Sequence, residues 1–162
     1  MICLCLGMLH SATAQNELAA ITDYKMAKTT TSSASDYKNS INTNMLAERA
    51  LKLRTIVANY DISDSEIYKV KEKSLYTVNF KEDQNRIEAK YDTDGNIISC
   101  KEIYKNVRLP LQLSQDLIKK NEGYSIGNVI CKIRYNAQKE QTINYKVELL
   151  SPTDRKIVKL QL

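Results

Sequence analysis

The chain has no Trp, one Phe, one His, two Pro and four Gly in 162 residues. Each shortage excludes a class of chemistry. A Ser or Cys nucleophile needs a base, usually His, and no Gly-x-Ser-x-Gly elbow is present. Gly95, Gly123 and Gly127 are too scattered to build a phosphate-cradling loop. A zinc site would have to combine two Cys with carboxylates, a poor structural set. Without Trp, sugar-binding platforms are thin, and no spacing of Asp and Glu selects a pair for glycoside hydrolysis. One Phe and no dense basic stripe argue against nucleic acid. No apolar run is long enough to span a bilayer.

What is present begins with residues 2–9, a short apolar run, followed by Ser11-Ala12-Thr13-Ala14. That is the small-x-small pattern of a signal-peptidase site, although only the terminal amine supplies positive charge before the run. The reading is an export signal over residues 1–14, cleaved after Ala14, and a periplasmic or secreted mature protein starting at Gln15. Cleavage removes His10, Cys3 and Cys5. Neither Cys3 nor Cys5 follows a lipobox. The net charge of +5, from 24 basic and 19 acidic residues, is unaffected. Cys100 and Cys131 are then the remaining cysteines. Outside the cytosol they either pair, closing a loop of about 30 residues for roughly 3–4 kcal/mol, or stay as separate buried thiols. Cys131 alternates with Val129 and Ile133, which places it toward a core.

Residues 15–40 read as a weak helix over 16–28 and a flexible Ser/Thr-rich linker over 29–40. Leu46, Ala50, Leu53, Val57 and Tyr60 then recur at helical spacing, with Asn42, Thr43 and Asn44 as N-cap candidates. Strand patterns follow at 75–80, 86–91 and 97–104, the last two joined by an Asp94-Gly95 turn. Leu109-Pro110 opens a second helix carrying Leu113, Leu117 and Ile118, with Gly123 as C-cap candidate. Strands are expected at about 128–136, 142–150 and 155–162. Asp92-x-Asp94-Gly95-Asn96 has a superficial calcium-loop look. The sixth and twelfth positions are Ile97 and Ile103, where Gly and Glu would be needed, so a hairpin turn accounts for it better.

The two halves rhyme: a helix, Tyr-x-Ile (Tyr60, Ile62; Tyr124, Ile126), a strand, and then Tyr-x-Val-x-Phe or Leu (Tyr76–Phe80; Tyr145–Leu149). The predicted fold is α+β: tandem helix-plus-antiparallel-sheet repeats over 41–108 and 109–162. Helices would cover one face of a sheet of about seven strands, and the second repeat would lack its last strand. Tyr76-Thr-Val-Asn-Phe80, Ala89-Lys-Tyr91-Asp92-Thr-Asp94-Gly95-Asn-Ile97, Leu109-Pro110 and Tyr145-Lys-Val147-Glu-Leu149 resemble the PepSY-like family of exported bacterial proteins. That family is related in fold to the beta-lactamase inhibitory protein. The resemblance covers residues 41–162. It implies tandem helix-plus-sheet repeats, no known catalysis, and a proposed role in binding or inhibiting other proteins; no cofactor is expected. No contact residue of the inhibitor matches a motif here, so none is carried over.

Strand phase places Tyr76, Tyr91, Tyr135 and Tyr145 on the apolar side, as core residues rather than binding hot spots. The opposite side carries Thr77, Asn79, Glu88, Lys90, Lys132, Arg134, Lys146 and Glu148. These form the expected contact surface for a protein or peptide partner in the envelope or outside the cell. The competing expectation is a passive envelope protein with an ordinary solvated face and no discrete partner. A third is a hydrolase using carboxylates alone, which requires a buried acidic pair in a cleft.

Overall fold

Period-two alternation sends Tyr76, Val78 and Phe80 to one side of a strand and their polar neighbours to the other. The computed structural model, which describes residues 32–42, 46, 48–68 and 75–162, builds this strand as β1 (Tyr76–Glu82). A two-residue turn at Asp83-Gln84 leads into β2 (Asn85–Tyr91), and the Asp92–Asn96 turn into β3 (Ile97–Lys105). After a helix come β4 (Ser125–Asn136), β5 (Lys139–Leu150) and β6 (Arg155–Gln161). The six strands pair antiparallel in chain order, so every connection is local except the one between β3 and β4.

The helices are α1 (Ser32–Asn39), α2 (Glu48–Ala58) and α3 (Leu111–Lys119). On α2 the predicted stripe is the buried one: Ala50, Leu53 and Val57 are fully enclosed, with Leu46 buried ahead of them. Burying each of the larger side chains contributes about 1.5–3 kcal/mol. They pack on Val78, Phe80, Ile87, Ala89 and Tyr91, and the tyrosines predicted to face inward do so. Leu117 anchors α3 on the same sheet face, with Leu113 and Ile118 half-buried beside it. Pro110 stands at the α3 N-cap, where its missing N–H costs nothing. The helix ends at Lys119, before Gly123. That glycine instead takes φ +82 in the turn into β4.

Two expectations change. The stretch read as linker contains α1: Ala34, Tyr37 and Ile41 form an apolar stripe that the surrounding Ser and Asp disguise, and all three are buried. The sheet has six strands among the described residues, not about seven. Where a strand is expected after Tyr60-x-Ile62, the described residues hold a 3-10 turn, Ile62–Asp64, capped by the Asp61 carboxylate accepting from Ser63 N at 2.9 Å. The two helix-plus-strand units are joined edge to edge through β3 and β4 into one sheet, as the single-sheet expectation has it. The export signal, the helix over 16–28 and the N-cap candidates Thr43 and Asn44 lie outside the described residues. Among the described residues no helix is long and apolar enough to cross a membrane.

Candidate functional site

Because the helices occupy one face of the sheet, strand parity decides which side chains occupy the other. The residues alternating with the buried set are Thr77, Asn79 and Lys81 on β1, and Arg86, Glu88 and Lys90 on β2. They continue with Ser99, Lys101, Ile103 and Lys105 on β3 and Ile130, Lys132, Arg134 and Asn136 on β4. Thr142, Asn144, Lys146, Glu148 and Leu150 follow on β5, and Arg155, Ile157, Lys159 and Gln161 on β6. The eight residues expected on this side are all on it by phase. Ten Lys or Arg and two Glu share the face. Strand-phase reasoning overlooked Lys81, Arg86, Lys101, Lys105, Arg155 and Lys159, although the same alternation marks each of them.

The register sets like charges side by side. Lys81 lies directly across from Arg86, Lys101 from Arg134, and Lys146 from Lys159. Directly opposed residues have Cβ atoms about 4.5–5.5 Å apart, and like charges there are destabilising. Lys101 has an acidic neighbour, Glu88, at 3.2 Å. Lys81, Arg86, Lys132, Arg134, Lys146 and Lys159 form no salt bridge among the described residues. Acidic residues gather elsewhere: Asp61, Asp64 and Glu66 beyond α2, Asp83, Asp92 and Asp94 at hairpin turns, and Asp116 and Glu122 around α3.

Glu148 requires correction as a contact residue. It has the phase of the open face, yet it is 7 % exposed. Gly127 and Asn128 form a bulge in β4 that opposes Glu148, between the pairs Ile126–Leu149 and Val129–Val147. Gly127 has no side chain, so the Glu148 carboxylate folds over it, accepts from Asn128 N at 3.1 Å and ion-pairs with Arg155. The carboxylate accepts from an N–H that lies between the paired residues at the register shift.

The cysteines do not bridge. Cys100 faces Tyr135, and Cys131 faces Tyr104, four residues further along the same strand pair. That separates them by about 13 Å at the rise of an extended strand, beyond the span of a disulfide. Both thiols are free and buried. Burial pushes Cys131 up to about 12 and Cys100 higher still.

Between them sits a feature that helical and strand periodicity did not reveal. Glu102, on the core face of β3, is 1 % exposed, and Arg54 of α2 is 2 % exposed. Arg54 donates to the Glu102 carboxylate, to the Tyr37 carbonyl and, at 2.9 Å, to Ser40 Oγ. Tyr37 donates to Glu102 at 3.1 Å, and Tyr104 at 2.6 Å. The guanidinium also lies 4.1 Å from the centre of the Tyr37 ring. Desolvation raises the Glu102 pKa, opposed by Arg54 and the two hydroxyls. Desolvation and the adjoining carboxylate hold Tyr37 and Tyr104 well above their ordinary range. Both oxygens of this carboxylate are engaged within the fold, and they tie α1 and α2 to β3. Among the described residues the other strongly buried acid is Glu148, which has the phase of the opposite sheet face.

The acidic turn is likewise self-contained. Asp92 accepts from Asp94 N at 2.9 Å, Asn96 N at 2.8 Å and Asn96 Nδ2 at 3.2 Å, while Gly95 takes φ +80. Its oxygens serve the turn, as the hairpin reading requires. Among the described residues no group of three or more His, Cys, Asp or Glu is placed to hold a metal ion. Comparison with protein-family models, curated proteins and solved structures finds no match to this chain.

Proposed function

We propose that the chain is an exported, non-enzymatic binding module that docks a protein of the cell envelope or the extracellular space on the open face of its sheet. The observation that supports this reading is the arrangement of that face. Helices and core occupy one side of the sheet, and the other side presents Lys132, Arg134 and Lys146, all exposed and without salt-bridge partners among the described residues. Thr77, Asn79, Glu88 and Lys90 lie on the same surface and complete the contact set. Glu148 is withdrawn from it by the β4 bulge. Inhibition of an enzyme partner is one form this docking takes under the PepSY-like resemblance. The descent of the two helix-plus-strand units from one repeated unit, and cleavage after Ala14, belong to the same reading.

The test is affinity capture with residues 15–162 as bait from envelope and secreted fractions, read by mass spectrometry. The reading expects one stoichiometric protein. The triple variant Lys132→Glu, Arg134→Glu, Lys146→Glu should lose it while keeping the far-ultraviolet circular dichroism spectrum. Capture that the triple variant leaves unchanged removes the face from the reading. A clean blank with folded bait favours the passive envelope role instead.

A further inference from the structure

We infer that the docked partner presents a carboxylate-rich, acidic protein surface. The inference rests on the docking reading above and adds the chemistry of what is docked. Charge complementarity carries it. The face carries ten Lys or Arg against Glu88 and Glu148, while most other acidic residues of the described chain lie on the helix side and in the turns. The opposed pairs Lys81–Arg86 and Lys146–Lys159 hold like charge together with no salt bridge to relieve it among the described residues. An acidic partner turns that cost into attraction.

Three other occupants fit less well. Single-stranded nucleic acid is gripped by aromatic stacking, and membrane surfaces by inserted aromatic residues. The tyrosines of the strands point into the core, and no aromatic side chain stands on the open face among the described residues. The apolar residues there are Ile103, Ile130, Leu150 and Ile157, and each lies directly across from a charged side chain: Lys132, Lys105, Arg155 and Glu148 in turn. The chain's own remaining segments offer no countercharge either. Glu17 and Asp23 are balanced by Lys25 and Lys28, and residues 69–74 hold three Lys against one Glu. Basic side chains are also spread over all six strands rather than along one track, which suits a broad surface more than a linear polymer. Five strand spacings of about 4.8 Å make the face about 24 Å wide, on the scale of an ordinary protein interface.

The experiment uses the full chain and a dye-labelled poly-L-glutamate probe, followed by anisotropy at 50 and 200 mM NaCl. Duplex DNA and phosphatidylglycerol vesicles are run in parallel. The expected result is saturable poly-glutamate binding that weakens at least tenfold over that salt range. Lys146→Glu combined with Lys81→Glu should weaken it at least tenfold at 50 mM. The same pair should leave Tm unchanged or raised, because each substitution turns a repulsive cross-strand pair into an attractive one. A loss of binding accompanied by a fall in Tm counts against the inference. So does an absence of poly-glutamate binding, or tighter binding of DNA or vesicles at equal salt. Salt-sensitive self-association in sedimentation would assign the face to a second copy's acidic side and would also overturn it. A neutral or basic protein captured through Lys132, Arg134 and Lys146 overturns this inference and leaves the docking reading standing. Poly-glutamate binding without any face-dependent cellular partner does the reverse.

Discussion

Arg54 and Glu102 carry the largest energetic stake of any single pair here, because neither charge has access to water. A buried pair is weak evidence for net stability, but removing one partner strands the other, at a cost of about 3–5 kcal/mol. Arg54→Met should therefore remove a large share of the roughly 5–15 kcal/mol typical of a domain, read in urea denaturation. Arg54→Met with Glu102→Leu should recover most of the loss. The sign of the pH effect follows from burial. The folded state raises the Glu102 carboxyl above its unfolded value, so it binds that proton more tightly than the unfolded chain does. The contribution is therefore complete below the ordinary carboxylate range and is lost as pH rises through the raised value. Arg54→Met removes the main charge opposing that rise, so it should be less destabilising at pH 5 than at pH 8. A cost independent of pH would show that Glu102 is not the stranded group. The thiols make a second test. With both pushed far above neutral pH, iodoacetamide at pH 8 should leave Cys100 and Cys131 unmodified in the native protein and alkylate both in denaturant. Non-reducing mass spectrometry should find no bridge between them.

Short elements owe their conformation to what they touch. The helix α1 is only eight residues long, below the length at which an isolated helix is stable, and its sequence is mostly polar. Tyr37 holds it: the ring packs edge-on against Tyr135 with centroids 5.1 Å apart, and the hydroxyl reaches Glu102. The β4 bulge depends in the same way on one small residue. A Cβ at Gly127 would lie 2.9 Å from Leu150 Cδ1, 3.1 Å from Glu148 Oε2 and 3.2 Å from Glu148 Cγ. Leu150 is partly exposed and can swing away, but Glu148 is fixed by Asn128 N and Arg155. Gly127→Ala should displace the carboxylate and cost about 1–2 kcal/mol in urea denaturation, within the usual range for overpacking. It should also return Glu148 to the open face, adding negative charge there. Unchanged stability would show that the carboxylate does not depend on the missing side chain.

Over the whole molecule the separation of charge outweighs the net charge. A value of +5 over 162 residues suggests only mild attraction to anions. Folding concentrates ten basic side chains on one sheet face and leaves most acidic ones behind it. The potential that a partner meets is therefore set by topology. A meander of six antiparallel strands keeps alternate residues on one side between its bulges, so charges distant in sequence become neighbours. Association through this face should be fastest at low ionic strength, because the exposed charges are screened within about 8–10 Å at 0.1–0.15 M salt.

Sequence alone determined whatever repeats with a local period. The α2 stripe, the strand alternation, the inward tyrosines, the Asp92–Asn96 turn and the phase of all eight contact residues were legible, because helical and extended backbones fix side-chain direction locally. Tertiary structure decided the rest. Tyr37 and Ala34 became helical because a sheet face was there to bury them. Glu148 left its expected surface because a bulge on the neighbouring strand made room. Arg54 and Glu102 met across 48 residues. The cysteines stayed apart because their register on β3 and β4 differs by four residues. These outcomes depend on which strands become neighbours and in what register, and no local period encodes that.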